Sequence, residues 1–303
     1  MYNNFFEVNL KETVNISTLL RYVEEGNQLQ VELLLQLNPG AIVDKDTLLS
    51  AQHSFPLISA FELAAWNLDI KHMCYAMLYN SLCFLPVEEA EKIQIILLKQ
   101  AETLDSIGIE DQFKDNNNIQ SHYDFSELTN SFYSFLKAFK QWPEDERLNP
   151  SEEQNQLWEN YSLAQQNAPA HVRQHYNDPD VTFRDPVPDF DLNQFNRTGV
   201  ALEWGDEQHR GGYSNHKYAD KPLARAIIRS KQKDGGRYTT IPQLDFNGGW
   251  QKDIIAIEHL RDTRQRNWDE IKALLKKPIR EIILILEKRY KKEPVRTYDG
   301  SFS

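Results

Sequence analysis

Residues 59–78 read SAFELAAWNLDIKHMCYAML. A small-residue core (Ala64, Ala65) is followed directly by Trp66, then by a polar break, then by a second apolar run. Two short helices back to back fit this pattern, because small residues let one helix nest closely against a neighbour. The same layout occurs upstream at 16–37, ISTLLRYVEEGNQLQVELLLQL. There the first helix carries Leu19, Leu20, Tyr22 and Val23 and stops at Gly26-Asn27, a helix-ending signal. The second helix carries Val31, Leu33, Leu34 and Leu35, and Leu68-Asp69 stands in the later copy where Gly26-Asn27 stood. Helix, tight break, helix, repeated within 80 residues, predicts a stacked helical repeat.

These two units resemble the ankyrin repeat. The TPLHLAA stretch of that family aligns with Ser17 to Val23 and, more closely, with Ser59 to Ala65, while GHxxVVxLLL aligns with Gly26 to Leu35. The units start 42 residues apart, from Ser17 to Ser59, whereas the family period is about 33. The surplus falls in the connection near Lys45 to Pro56, and the second unit lacks the glycine. Such arrays need about three units for stability, so a following element is expected to cap the stack. The alternative is an unrelated pair of helical hairpins.

The capping candidate is PVEEAEKIQIILLKQAETLDS at 86–106, which opens on Pro86 and acids and aligns Ile93, Ile96, Leu97, Ala101 and Leu104 on one face. A second amphipathic helix carries Phe132, Phe135, Leu136 and Phe139, and two prolines near 145 place a soft boundary there. Beyond it the texture changes. Three Gly-Gly pairs, at 211, 235 and 248, hold half of the chain's 12 glycines, which predicts short strands or ordered loops. A strong helix is expected over 251–275 and a last one from Pro278. The fold expected is mainly α: ankyrin-like helical repeats with capping helices over 1–145, then an α-rich domain with irregular loops and a few short strands over 146–303.

Bulk properties narrow the function. The 303 residues carry a net charge of −11, which argues against a nucleic-acid partner. Two cysteines, Cys74 and Cys83, sit in apolar helical context and read as small buried hydrophobes, as suits a reducing compartment. MYNNFFEVNLKE lacks the basic and apolar regions of a secretory signal, and no apolar run reaches the roughly 18 residues of a membrane span. A soluble, cytoplasmic protein is expected. One segment runs against the acidic balance: 272–296 holds nine Lys/Arg and three Glu, a local +6. Its basic amphipathic helix would either rest on an anionic membrane surface or dock on the acidic remainder of the chain.

The run APAHVRQHYNDPDVTFRDPVPDF at 168–190 resembles a segment of ankyrin-bearing Legionella-type effector proteins, exported through the Dot/Icm type IV secretion system. The shared features are a Pro-Ala-His-Val helix start, a Tyr, a Pro-Asp, a Phe and a Pro-x-Phe exit, with a later helix bearing Asp253, Ala256, Ile257, Arg261 and Gln265. The resemblance implies a virulence effector that meets a host protein in the host cytoplasm, exported without a classical signal peptide. It departs in one respect, since export tails of this class are often Glu-rich and this one is not.

Chemistry-bearing constellations are loose. His171 and His175 share a helix face at the spacing of a zinc pair, but Val172 stands where a zinc peptidase has Glu, and the pair reads rather as a helix-terminal one that hydrogen-bonds the following Pro-rich loop. WGDEQHRGGYSNHKY at 204–218 gathers Asp206, His209 and His216 beside a Gly pair, the residue types of an acid/base site and equally of a polar loop. No phosphate cradle, dinucleotide fingerprint or nucleophile elbow occurs, so no cofactor and no metal is expected. The leading expectation is protein–protein recognition at the Lys45–Pro56 connection and around Glu62, Trp66, Asn67 and Asp69. Trp66 is either an exposed anchor or a core residue closing the stack. The alternative is an enzyme with its site in 170–250 and repeats that select the substrate protein.

Overall fold

The computed structural model describes residues 14–50, 53–112, 118–139, 141, 151–172, 228–229, 238–239 and 249–291. They are mostly helical, with small antiparallel two-stranded ribbons. The first unit is α1 (Ile16–Glu24) and α2 (Gln28–Leu37), and a 3-10 turn at Pro39–Ile42 follows. The second unit is α3 (Ala60–Trp66), a π turn (Ile70–Cys74) and α4 (Tyr75–Leu82). Between the units, the connection forms a hairpin rather than an irregular loop: β1 (Lys45–Leu49) pairs antiparallel with β2 (Ser54–Ser59).

The helix starts follow from their first residues. Asn15 caps α1 by accepting the Thr18 amide at 3.0 Å, and Ser59 and Glu62 form a reciprocal capping box on α3. The ends follow from one shared turn. Gly26 and Leu68 both take positive φ, 70° and 56°. Asn27 and Asp69 then donate their amides back to Tyr22 and Ala64, at 2.8 and 2.9 Å. The same two side chains cap the second helix of each unit, at Gln30 and Met73. In the second unit the amide of Cys74 reaches back to Asp69 at 3.0 Å, a five-residue step that inserts the π turn. Like packs on like: α1 against α3 and α2 against α4. Leu19, Leu20, Val23, Val31 and Leu35 of one unit and Phe61, Leu63, Ala64 and Leu78 of the other fill the shared core.

The cap is the long helix α5 (Val87–Ser106), started at Pro86 with Glu88 and Glu89 in its first turn. Leu97, Ala101 and Leu104 are buried, whereas Ile96 is exposed. A second ribbon follows, β3 (Ile109–Asp111) with β4 (Asn118–Gln120). Gly108 makes its entry possible: φ is +81°, and a Cβ would stand 2.8 Å from the Gln120 backbone. The helices α6 (Ser126–Phe139) and α7 (Glu152–Asn167) pack together through Phe132, which stacks on Tyr161 with centroids 4.5 Å apart. A two-residue ladder joins β5 (Ile228–Arg229) to β6 (Tyr238–Thr239). The chain then forms α8 (Gly249–Leu275) and α9 (Ile279–Lys291).

Candidate functional site

The four residues named from the sequence as a contact surface are all buried. Glu62 holds the capping box with Oε2 and the Lys45 ammonium, at 2.7 Å, with Oε1. The Trp66 ring is enclosed by the edges of His53, Phe55 and Tyr123, at centroid distances of 5.0, 5.1 and 6.1 Å. Trp66 is therefore a core residue closing the second unit against the hairpin and the β4–α6 connection, and not an exposed anchor. Asn67 and Asp69 face inward because the later parts of the chain cover their turn. The Asn67 carbonyl accepts the Nε2 proton of His171 at 2.7 Å, and the Trp66 carbonyl accepts the Tyr123 amide at 2.8 Å.

Several buried polar side chains meet at the covered turn. Arg264, wholly buried on α8, interacts electrostatically with Asp69, with buried Thr263 and Asn267 beside it on the same helix. Burial drives the Asp69 carboxyl up to about 6, opposed by the Arg264 charge and the Met73 amide. Burial also lowers Arg264 to about 10, opposed by Asp69, so the guanidinium keeps its charge at neutral pH. Cys74 is pushed well up by burial and then by Asp69, which holds it as an inert thiol. Asp69, Cys74 and His171 are all buried. What the arrangement can do is fix α8 and His171 against the second unit, since two desolvated charges tolerate separation poorly.

Further contacts extend that attachment. Asp105 at the end of α5 accepts the Trp268 indole N–H at 2.8 Å and the Lys272 ammonium at 2.5 Å. Gln94 donates to the Leu275 and Lys277 carbonyls that end α8, at 2.7 and 2.8 Å. The basic helix α9 turns its apolar side, Ile279, Ile282 and Leu286, into the core and packs on α4 and α5. Arg289 lies 3.8 Å over the Tyr75 ring, and Tyr290 stacks on Tyr79 at 4.2 Å. Of the two partners weighed for this helix, the apolar face meets the chain itself. Lys276, Arg280 and Lys288 remain outward. No helix among the described residues is long and apolar enough to cross a membrane.

Among the described residues of the N-terminal half, large aliphatic side chains are exposed on the ribbons as well as on α2 and α5. Lys45, Thr47 and Leu49 point outward along β1, and Leu57 outward on β2, while Leu48, Phe55 and Ile58 point inward. Leu49 and Leu57 are 76% and 60% exposed. The two ribbons are joined side by side. The Gln112 amide donates to the Ser54 carbonyl at 2.8 Å, and Asp111 accepts from the Ser54 amide at 2.9 Å and from His53 Nδ1 at 2.7 Å. On the second ribbon Ile119 of β4, paired with Glu110, is 63% exposed. Sequence reasoning pointed at the Lys45–Pro56 connection, which contains Leu49, but not at Leu57 or Ile119. KDTLL and SFPLIS do not alternate apolar with polar, and NIQ is too short, so no pattern in the sequence marked them.

The segment that closes over the second unit has a recognisable relative. Residues 127–275 match the CBUA0006 C-terminal domain family. The match begins in α6 and ends with α8, so it includes His171, Arg264 and Trp268, the side chains through which this part of the chain contacts the N-terminal half. No curated protein and no solved structure matches the chain. Within the same segment, His175, Asp206, His209 and His216 lie outside the described residues. His171 itself is buried, with Nε2 committed to the Asn67 carbonyl. Among the described residues no group of His, Cys, Asp and Glu is arranged to hold a metal ion.

Proposed function

We propose that the N-terminal half is an ankyrin-type pair of units that recognises a protein partner through its hairpin side. The observation that carries this reading is the shared geometry of the two units. Each ends its first helix on a left-handed residue, Gly26 or Leu68, followed by a capping Asn27 or Asp69, and first helices pack on first helices. A β-hairpin between the units, in place of a loop, fits the same architecture. Stacks of this kind bury their helix faces in one another and present the connections. Here the second unit's turn is occupied by α8 and His171, while the ribbons stay exposed.

The test is affinity capture from host-cell lysate by the full chain, followed by reconstitution with the purified captured protein. The partner is expected to bind wild type and to be lost with Leu49→Asp/Leu57→Asp, a pair of exposed substitutions that leaves the core intact. Undiminished capture by that variant contradicts the choice of face. That the partner is a host protein rests on the resemblance of residues 168–190 to type IV effectors. A translocation reporter fused to the chain tests that step separately, and retention of the reporter in the producing cell would count against it.

A further inference from the structure

We propose that the outward face of α2 is covered by the chain's own residues 5–10, through Phe6, Val8 and Leu10. The inference goes beyond the recognition reading, since it concerns the open end of the first unit and not the ribbons. Its first support is an apolar stripe. Leu29, Leu33 and Leu37 stand four residues apart on α2, which puts them on one helix face. They are 50%, 45% and 57% exposed. The opposite side of α2, with Val31 and Leu35, is buried where the helix meets α1 and α4. Glu32 is the one charged residue of the helix, and it accepts from Gln28 at 2.5 Å, while Gln36 donates to Asn80 at 3.0 Å. A unit at the end of a stack needs a polar outer face to stay soluble by itself. Three half-exposed leucines in a row do not supply one.

The second support is the pattern of the segment, which precedes the described residues. From Phe6 onward apolar and polar residues alternate, Phe6, Val8 and Leu10 against Glu7, Asn9 and Lys11. An extended chain of that pattern gathers its apolar side chains on one side at a pitch of about 6.6 Å. A helix repeats every fourth side chain at about 6 Å, so three residues match three leucines one for one. The third support is position. The segment leads into α1, and the tight turn between α1 and α2 brings the start of α1 to the Leu37 end of α2. Residues 11–13 span up to about 10 Å, enough to carry Leu10 across to Leu37. A second copy of the chain also offers an apolar stripe, but it sets a charge of −11 against −11. Residues 5–11 carry one Glu and one Lys and meet no such repulsion.

The experiment uses the full chain and reads amide exchange over residues 2–13 by mass spectrometry. In Leu29→Asp/Leu33→Asp, residues 6–10 are expected to exchange at least about tenfold faster than in wild type, with exchange in the core unchanged. Phe6→Asp/Val8→Asp is expected to do the same. A proximity measurement stands beside it: Val8→Cys/Leu33→Cys in a Cys83→Ser background, treated with a short bis-maleimide at low protein concentration, is expected to be linked within one chain. Cys74 is buried and stays out of that reaction. Equal exchange in wild type and both variants, or no link above a Val8→Cys control, would overturn the proposal. A link between two chains assigns the stripe to a second copy and overturns it too. Lysate capture by Leu29→Asp/Leu33→Asp is expected to match that by wild type. Its loss assigns the stripe to the captured partner and removes the segment as its cover.

Discussion

Gly26 and Leu68 occupy equivalent places, each the left-handed residue that ends the first helix of its unit, at φ 70° and 56°. Glycine adopts that conformation without cost, whereas a leucine Cβ costs roughly 1–2 kcal/mol there. Leu68 is wholly buried, and burying a leucine side chain contributes roughly 1.5–3 kcal/mol, which outweighs the strain. Gly26→Ala is therefore expected to destabilise the chain by about 1–2 kcal/mol through backbone strain. Leu68→Gly is expected to destabilise it too, by about 1 kcal/mol net, because lost burial exceeds relieved strain. Urea unfolding of both variants checks the pair, and a stabilised Leu68→Gly would show that the strain had been undervalued.

Asp69 gives the fold a pH dependence whose sign is set by its burial. Its folded value of about 6 lies above the usual 3.8, so the native state holds the proton more tightly than the unfolded chain. The stability this group contributes is complete below about 3.8 and is lost as pH rises through about 6. Wild type is accordingly expected to gain on Asp69→Asn, by on the order of 1–3 kcal/mol, as pH falls from 7 towards 4. Denaturant midpoints across that range read it, and a gap independent of pH would contradict it.

The same pair should be strongly non-additive. Arg264→Met leaves a buried carboxylate without its counter-charge and is expected to cost roughly 3–5 kcal/mol. Adding Asp69→Asn to it should restore part of that loss, giving a coupling on the order of 1–3 kcal/mol in a double-mutant cycle. Additive losses would mean that α8 is held elsewhere.

Gly108 controls the second ribbon. A methyl group there meets the Gln120 backbone at 2.8 Å, at a φ of +81°. Gly108→Ala is expected to cost more than the roughly 1–2 kcal/mol of left-handed strain alone, since backbone cannot move aside as a side chain can. Amide exchange should quicken first around Ile119, which pairs with Glu110. Uniform exchange throughout the chain would instead assign Gly108 to global stability.

The helices were legible in the sequence because their signals are local: the small residues of Ser59–Ala65, the Leu33–Leu35 run and Pro86 with its acids each act within a few residues. The hairpin was not, since KDTLL and SFPLIS lack the apolar–polar alternation that marks a strand, and SFPLIS holds a proline. Trp66 was read both ways, and its burial depends on His53, Phe55 and Tyr123, brought together only by the tertiary fold. The attachment of α8 was hidden for the same reason: nothing near Asp69 announces an arginine at 264.

The account stands most directly on whether the ribbons are the contact face. Capture by wild type should be compared with capture by Leu49→Asp/Leu57→Asp and by Trp66→Phe, followed by binding of the purified partner to each. The account predicts that the exposed aspartates abolish binding while the fold persists, and that the buried Trp66→Phe, wherever it remains folded, binds as wild type does. Partner binding that survives Leu49→Asp/Leu57→Asp but is lost in folded Trp66→Phe would contradict it.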